Sequence, residues 1–424
     1  MIFHAIYCIL VTPKYLDRRF NNNGFTSPFY KLHIRKGLIH MDYGKLALER
    51  HEKAGGKIEI TSRVELKEAE DLAVYYTPGV ATPCLAIKDD PEAASKYTSR
   101  DRLVAIVTDG SAILGLGNIG ALAGMPVMEG KAILFKHFAG IDAFPICLAS
   151  QDPEEIIATV KNIAPGFGGI NLEDIAAPAC FEVERRLKKE LNIPVFHDDQ
   201  HGTAIVTCAA LINALRITGR AMENCKIVIN GAGAAGSAIA QMAYNLGCRD
   251  ILICDSKGIV SAHRQLSSAK KELLDFTNPD NIEGSLKEAV VDADVFIGVS
   301  APGVLSSDMV KTMAKNPIIF AMANPVPEIF PDDAKAAGAA VVGTGRSDYP
   351  NQINNVLVFP SLFRGALDAK ATTITEDMLI AAVYALADSI PADELCPENI
   401  LPTVFNKDAA NALAAAVKKA WEDR

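Results

Sequence analysis

The sequence predicts an α/β protein built as two domains on largely parallel sheets. Three observations carry this reading. Short β-branched runs alternate with helical patterns along most of the chain, as expected of parallel strands covered by helices. The 424 residues suffice for two or three domains of roughly 150 residues each. No internal repeat and no low-complexity tract interrupts the alternation, which sets a solenoid aside.

Taken in order, the chain opens on "MIFHAIYCILVTPKYLDRRFNNNGF", an apolar run with no basic segment before it and no small-residue cleavage site, too short to span a bilayer. From Met41 the text changes to "MDYGKLALERHEKAGGKIEI", which reads as an ordinary cytosolic start, so residues 1–40 are expected to be an extension without a functional role. Buried strands are expected in "RLVAIVTD" (102–109), "KAILFKHF" (131–138), "KIVINGAG" (226–233), "DILICD" (250–255), "ADVFIGVS" (293–300), "PIIFAMAN" (317–324) and "AAVVGTG" (339–345). The helical stretch "GTAIVTCAALINALRITGR" (202–220) leads from the first domain into the second. The expected division is 41–200, 201–374, and C-terminal helices over 375–424.

Composition narrows the function. A formal charge of −9 argues against a surface that grips nucleic acid or anionic lipid, which leaves small soluble partners. The nine cysteines are scattered and never form CxxC, as for reduced, mostly buried thiols of a cytoplasmic protein.

Two glycine loops, "GLGNIG" (115–120) and "GAGAAG" (231–236), compete for one phosphate-binding role. Such a loop works between a strand and the N-terminus of a long helix, whose free N–H groups face the pyrophosphate. "KIVINGAGAAGSAIAQMAYNLGCRDILICD" supplies every part, with a helix expected over 234–246 and Gly247 as its cap. The cofactor-binding residues are then Gly231, Ala232, Gly233, Ala234, Ala235 and Gly236. Asp255 ends the second strand 19 residues beyond Gly236, where a carboxylate accepts from the ribose hydroxyls of NAD and repels the 2′-phosphate of NADP. Residues 201–374 are thus expected to form a Rossmann-type, doubly wound NAD(P)-binding domain. The earlier loop runs into "ALAGMPVMEGK", where Gly124, Pro126 and Gly130 are expected to break any long helix. Its glycines read either as a close approach of backbone to a small substrate or as a structural turn.

Four clusters bear chemistry, each weak alone. "YYTPGVA" puts Tyr76 before a Thr-Pro-Gly turn. "MEGKAIL" puts Lys131 at the head of an apolar run, either partly buried with a lowered pKa or snorkelling to solvent. "INLEDIAAP" carries Glu173 and Asp174, and "PVFHDDQHGTA" carries Asp198 and Asp199. Carboxylates from two loops suit Mg²⁺ or Mn²⁺, with helix capping as the alternative. His197 and His201 stand four apart, but "HDDQH" lacks the glutamate of a zinc protease, so zinc is not expected.

Together "YYTPGVA", "TDGSAILGLGNIGALAGMPVMEGK", "INLEDI", "VFHDDQHGTA", "INGAGAAG", "MANPVPEI" and "NQINNVLVFPS" resemble, in order and spacing, the malic enzymes of the short bacterial or archaeal type. The resemblance runs from about Met41 to the C-terminus. It implies an N-terminal substrate and metal domain over 41–200, Tyr76 as proton donor, Lys131 as proton acceptor with Asp198 as its partner, and Glu173, Asp174 and Asp199 as metal ligands. Asn324 is implied to contact cofactor and substrate, and Asn354 and Asn355 to bind substrate together with Lys131. Ala112 departs from the large eukaryotic members, which carry a carboxylate-gripping arginine there, so that contact must come from elsewhere in this chain. An acetyltransferase-like domain that some bacterial members carry after this part is missing, and regulation through it is not expected.

The implied reaction is oxidative decarboxylation of L-malate to pyruvate and CO₂ with Mg²⁺ or Mn²⁺, and decarboxylation of oxaloacetate, in a cytoplasmic homodimer. NAD is expected to be favoured and NADP tolerated, with Lys226 and Lys257 softening the repulsion at Asp255. Lys131 must be tuned down from about 10 to roughly 7–8 to act as a base, and the adjacent cation is expected to push it that way. An NAD-linked dehydrogenase of an amino acid or another hydroxy acid and a non-catalytic nucleotide sensor are the rivals, and neither predicts metal-dependent malate turnover.

Overall fold

The computed structural model describes residues 43–113 and 116–424; the expectations for residues 1–40, Cys8 and Gly115 fall outside them. Contacts divide the chain after Arg50, and the described part of the first unit is the start of the Tyr43–Ala54 helix. The second unit, His51–Arg424, carries two sheets.

In the first sheet β1 (Leu103–Thr108), β2 (Asp142–Cys147), β3 (Gly169–Leu172) and β4 (Val195–His197) run parallel in the order β2-β1-β3-β4. Val104 stands opposite Ala143 on one side and Gly169 on the other. The second sheet comprises β5 (Lys226–Asn230), β6 (Asp250–Asp255), β7 (Gly258–Ile259), β8 (Val295–Gly298), β9 (Ile318–Ala321) and β10 (Val341–Thr344). Its order is β10-β9-β8-β5-β6-β7, with β7 alone antiparallel. The chain winds outward to one side of β5 and then to the other, so a topological switch point opens at the C-terminal ends of β5 and β8. Strands covered on both faces read as continuous Val and Ile runs, which is why β1, β5, β6 and β8 to β10 lie inside stretches the sequence marked.

The stretch 131–138 is not a strand. It lies in a helix, Ala121–Ala139, that passes through Gly124, Pro126 and Gly130. Packing overrides propensity there: Met128, Lys131, Ala132 and Phe135 are buried. A Cβ on Gly124 would stand 2.6 Å from Ile113 Cδ1, so a glycine that looked like a breaker marks a close approach. The strand of this region is β2, an edge strand, where Pro145 forfeits no ladder bond on its open side.

The Thr203–Thr218 helix is buried over most of its length and joins the two sheets, and the Glu376–Ala387 helix packs on it, with Asn213 Nδ2 donating to Ala387 O at 2.9 Å. Phe135 meets Phe359 and Phe363 of the Phe359–Asp368 helix edge-on at 4.8 and 5.4 Å. Lys131, one turn before Phe135, is thereby aimed at the ends of β3 and β4. Among the described residues no helix is long and apolar enough to cross a membrane.

Candidate active site

Glu173 and Asp174 directly follow β3, and Asp198 and Asp199 directly follow β4. Because these strands are parallel neighbours, their C-terminal ends bring carboxylates from two loops to one place. Ligand oxygens of Glu173, Asp174 and Asp199 lie within 4.8 Å of one another. Asp174 adopts a left-handed conformation at φ 53°, and its N–H donates to Asp199 Oδ2 at 2.8 Å, which locks the two loops together. Asn171 Nδ2 donates to Glu173 Oε2 at 2.9 Å. Asp199 thus accepts from the neighbouring loop and not from its own helix turn, contrary to a simple capping role. An all-oxygen donor set of this charge, with Glu173 and Asp174 buried and Asp199 half-buried, fits a hard divalent cation such as Mg²⁺ or Mn²⁺.

Lys131 Nζ sits against this cluster, 2.5 Å from Asp198 Oδ2 and 2.8 Å from Glu173 Oε1, and 4.2 Å above the Phe359 ring. Burial pushes the ammonium down, but Asp198, Glu173 and Asp199 outweigh it and hold Lys131 above the ordinary lysine value. The chain's own groups therefore do not supply the depression toward neutrality that a base requires. Burial also raises Glu173 and Asp198, against the pull of Lys131.

Lys131, Glu173, Asp174 and Asp199 line a cavity of about 640 Å³ together with Lys57, Ala112 and Asn355. Gly202 permits this assembly, since a Cβ there would lie 1.9 Å from Asp198 Oδ1 and 3.3 Å from Asn355 Cβ. Asn354 is used differently: its side chain caps the next turn by accepting from Val356 N–H at 2.9 Å. Tyr76 follows the Ala69–Tyr75 helix, is 70% exposed and is not among the residues lining this cavity. His201 is held by the Glu184 carboxylate at 2.9 Å, while His197 is fully buried.

The second glycine loop sits at the switch point. A Cβ on Gly231 would approach Val299 O to 2.5 Å and one on Gly236 would approach Gly231 O to 1.7 Å, whereas Gly233 faces open space at the start of the Ala234–Asn245 helix. Backbone is packed tightly behind and unobstructed in front, with free N–H groups at the helix start, a geometry that suits a pyrophosphate. The first glycine loop also enters a long helix, against expectation, but apolar Ile119, Leu122, Met125 and Pro145 surround its first turn. At Gly110 a Cβ would come within 2.2 Å of Gly120 C, and Ala112 N–H donates to Asp174 O at 3.0 Å, so this loop braces the carboxylate cluster. Asp255 is not relieved by Lys226, whose Nζ donates to Val291 O, and Lys257 contributes only its backbone N–H. Arg264 grips both Asp255 oxygens at 2.8 Å and Lys270 Nζ lies 2.5 Å away.

The family model described as "Malic enzyme, NAD binding domain" matches residues 200–421, and "Malic enzyme, N-terminal domain" matches 55–153 and 149–188. The chain is 58% identical over 376 residues to the bifunctional malic/malolactic enzyme of Bacillus subtilis, covering 88% of this chain and 92% of that one. It belongs to the malic enzyme family. An NADP-dependent malic enzyme of Haemophilus influenzae is 54% identical over 81% of this chain and 46% of its own length. The crystal structure of the NAD-dependent malic enzyme of Thermotoga maritima superposes with a TM-score of 0.86 at 49% identity, over 89% of this chain and 99% of that one. The chain is accordingly an NAD(P)-dependent oxidoreductase acting on malate.

Sequence reasoning missed several residues of the candidate site. Glu328, fully buried in "MANPVPEI", accepts from Ser300 N–H at 2.8 Å and Ala323 N–H at 3.0 Å, tying the loops after β8 and β9 together beside exposed Asn324. Burial raises its pKa, with those N–H groups opposing. A charged residue between prolines and apolar neighbours was the available signal. Arg264 and Lys270 left none, because their partner Asp255 lies 9 and 15 residues away, and Asn171 left none although its partner Glu173 is two residues on.

Proposed function

We propose that the chain converts L-malate to pyruvate and CO₂ with reduction of NAD or NADP, with a divalent cation held by Glu173, Asp174 and Asp199. One observation carries the reading: a buried lysine joins a compact carboxylate trio at the edge of a cavity, in a chain whose second sheet carries a pyrophosphate cradle. When bound, the cation polarises the C2 oxygen and the nicotinamide accepts the C2 hydride.

The side chains do the rest. Lys131 Nζ takes the C2 hydroxyl proton, aimed by Asp198 and Glu173. With a dication held by Glu173, Asp174 and Asp199, Lys131 would be moved down in the direction a base needs. Asn355 orients the substrate from the cavity wall, and Asn354 acts through the turn it caps. Asn324 borders both substrate and cofactor. Tyr76 delivers the proton to C3 after CO₂ leaves. Oxaloacetate enters at the decarboxylation stage on the same residues.

A homodimer in the cytoplasm is the working form in this reading. What supports assembly is a run of apolar side chains, Leu66, Leu72, Tyr75, Tyr76, Leu85 and Tyr97, each about half exposed or more. Residues 41–200 form the substrate domain, 201–374 the cofactor domain and 375–424 the closing helices. The test is malate-dependent reduction of NAD or NADP by the purified chain, with pyruvate identified as product. EDTA should abolish it and Mn²⁺ restore it; turnover indifferent to EDTA refutes the reading.

A further inference from the structure

The cavity beside Lys131 is crowded with negative charge. Glu173, Asp174 and Asp199 line it, Asp198 backs it, and Lys131 is the cation they share. A dication offsets part of this, but a dicarboxylate brings two further negative charges. One substrate carboxylate and the adjacent hydroxyl suit the metal; the other carboxylate needs a cationic partner elsewhere on the cavity lining.

Lys57 stands there. It follows Gly55 and Gly56, whose φ values of 66° and 112° let the chain turn sharply toward the cavity. Its backbone N–H donates to Glu129 Oε2 at 2.9 Å, which fixes the segment on the Ala121–Ala139 helix. Its Nζ donates to Pro126 O at 2.6 Å and passes over Gly130, where a Cβ would lie 3.5 Å from it. Among the described residues Lys57 Nζ makes no ion pair with a carboxylate. Its anchor is a neutral carbonyl, and an ammonium has three donors. Burial lowers its pKa, with Glu129 opposing, as for a cation only partly compensated by its surroundings. Ala112, too short to reach a substrate carboxylate itself, lines the same cavity.

We propose that Lys57 grips the malate carboxylate remote from the metal ligands, and thereby selects a dicarboxylate hydroxy acid over a monocarboxylate one. This rests on the malate reading above. The ion pair forms with bound substrate and is released as that carboxylate departs as CO₂, so it strengthens ground-state binding more than the transition state for decarboxylation. Its loss belongs mainly in KM.

The experiment compares wild type, Lys57→Gln and Lys57→Arg. Calorimetry on the Mn²⁺-loaded protein with NADH measures Kd for tartronate, a dicarboxylate, and for L-lactate, a monocarboxylate; steady-state kinetics with malate give kcat and KM. Lys57→Gln should weaken tartronate about tenfold to a hundredfold, the range for a hydrogen bond to a charged group, and leave lactate within twofold. KM for malate should rise by the same factor with kcat within about threefold, and Lys57→Arg should restore most of both. Equal weakening of both anions, an unchanged malate KM, or a wild type that binds tartronate no better than lactate overturns the proposal. Should wild type discriminate between the anions yet fail to oxidise malate, the catalytic reading fails and the Lys57 site stands.

Discussion

Lys131 Nζ and Asp198 Oδ2, 67 residues apart in sequence, meet at 2.5 Å with both side chains buried. Removing one partner of such a pair strands the other charge, and the cost is typically about 3–5 kcal/mol. Asp198→Asn keeps the shape and an acceptor but removes the charge, so it should lower kcat for malate at least about tenfold while leaving NAD affinity unchanged. Lys131→Ala should nearly abolish hydride transfer. Pre-steady-state reduction of NAD measures both, and a loss of only a few-fold in each refutes the assigned roles.

The metal assignment makes a separable prediction. Glu173→Gln and Asp199→Asn each remove one charge from a trio whose oxygens lie within 4.8 Å. Each should raise the Mn²⁺ concentration for half-saturation by about tenfold or more, with NAD binding intact, because the pyrophosphate cradle lies on the other sheet. Mn²⁺ titration followed by electron paramagnetic resonance gives the free-ion concentration directly. Unchanged titrations would mean that the carboxylates serve only to brace the two loops.

Legibility followed the range of the interactions. Strands buried on both faces announce themselves as apolar runs, so β5 and β6, the Ala234–Asn245 helix and the Gly231 turn were readable as one unit. The Ala121–Ala139 helix was not, because its glycines are explained by Ile113 packed against Gly124 and Lys57 passing Gly130. β3 and β4 span four and three residues, too few for periodicity to mark. The trio of carboxylates was visible as two motifs, but their meeting depends on those two short strands being neighbours. Burial pushes Lys131 down as its place in an apolar run suggested, but the three carboxylates that outweigh it were not legible, since sequence does not show that they face one ammonium.

Glu184, which holds the segment on either side of Asp198 and Asp199, gives a pH prediction. Its buried carboxylate accepts from His197 N–H and Gln200 Nε2 at 3.2 Å and faces Lys188 Nζ at 2.8 Å and His201 Nε2 at 2.9 Å. Burial alone would raise it, but His201 and Lys188 outweigh that and leave it well below the ordinary glutamate value. A depressed native pKa stabilises the fold above the unfolded value of about 4.3, and the contribution is lost as pH falls below that. Glu184→Gln should therefore lower Tm at pH 7 and flatten the stability profile below about pH 4.3. Calorimetric Tm values across that window check it, and a parallel profile in the variant would rule it out.

Tyr76 is the outlying member of the proposed machinery. Tyr76→Phe removes only the phenolic proton, so protonation of enolpyruvate should slow by about a hundredfold or more, while reduction of ketoacids, which needs no C3 proton, is spared. Equal loss in the two half-reactions would refute the proton-transfer role of Tyr76.

Cofactor choice turns on Asp255. A carboxylate offers about four acceptor positions, and here Arg264 takes two, Lys270 a third and Lys257 N–H a fourth. Ribose hydroxyls of NAD must displace one of these, and Lys270 is the one held by a flexible stem, whereas Arg264 is also anchored on Gly258 O and Ile259 O. A 2′-phosphate repels Asp255 yet attracts Lys270 and Arg264, so the expected outcome is NAD favoured and NADP accepted. Asp255→Ala frees both cations for the phosphate and should shift the kcat/KM ratio toward NADP by about tenfold or more. Lys270→Ala should lower kcat/KM with NADP by a similar factor and leave NAD within a few-fold. If the wild type prefers NADP, or if neither variant moves the ratio, selection lies outside this triad.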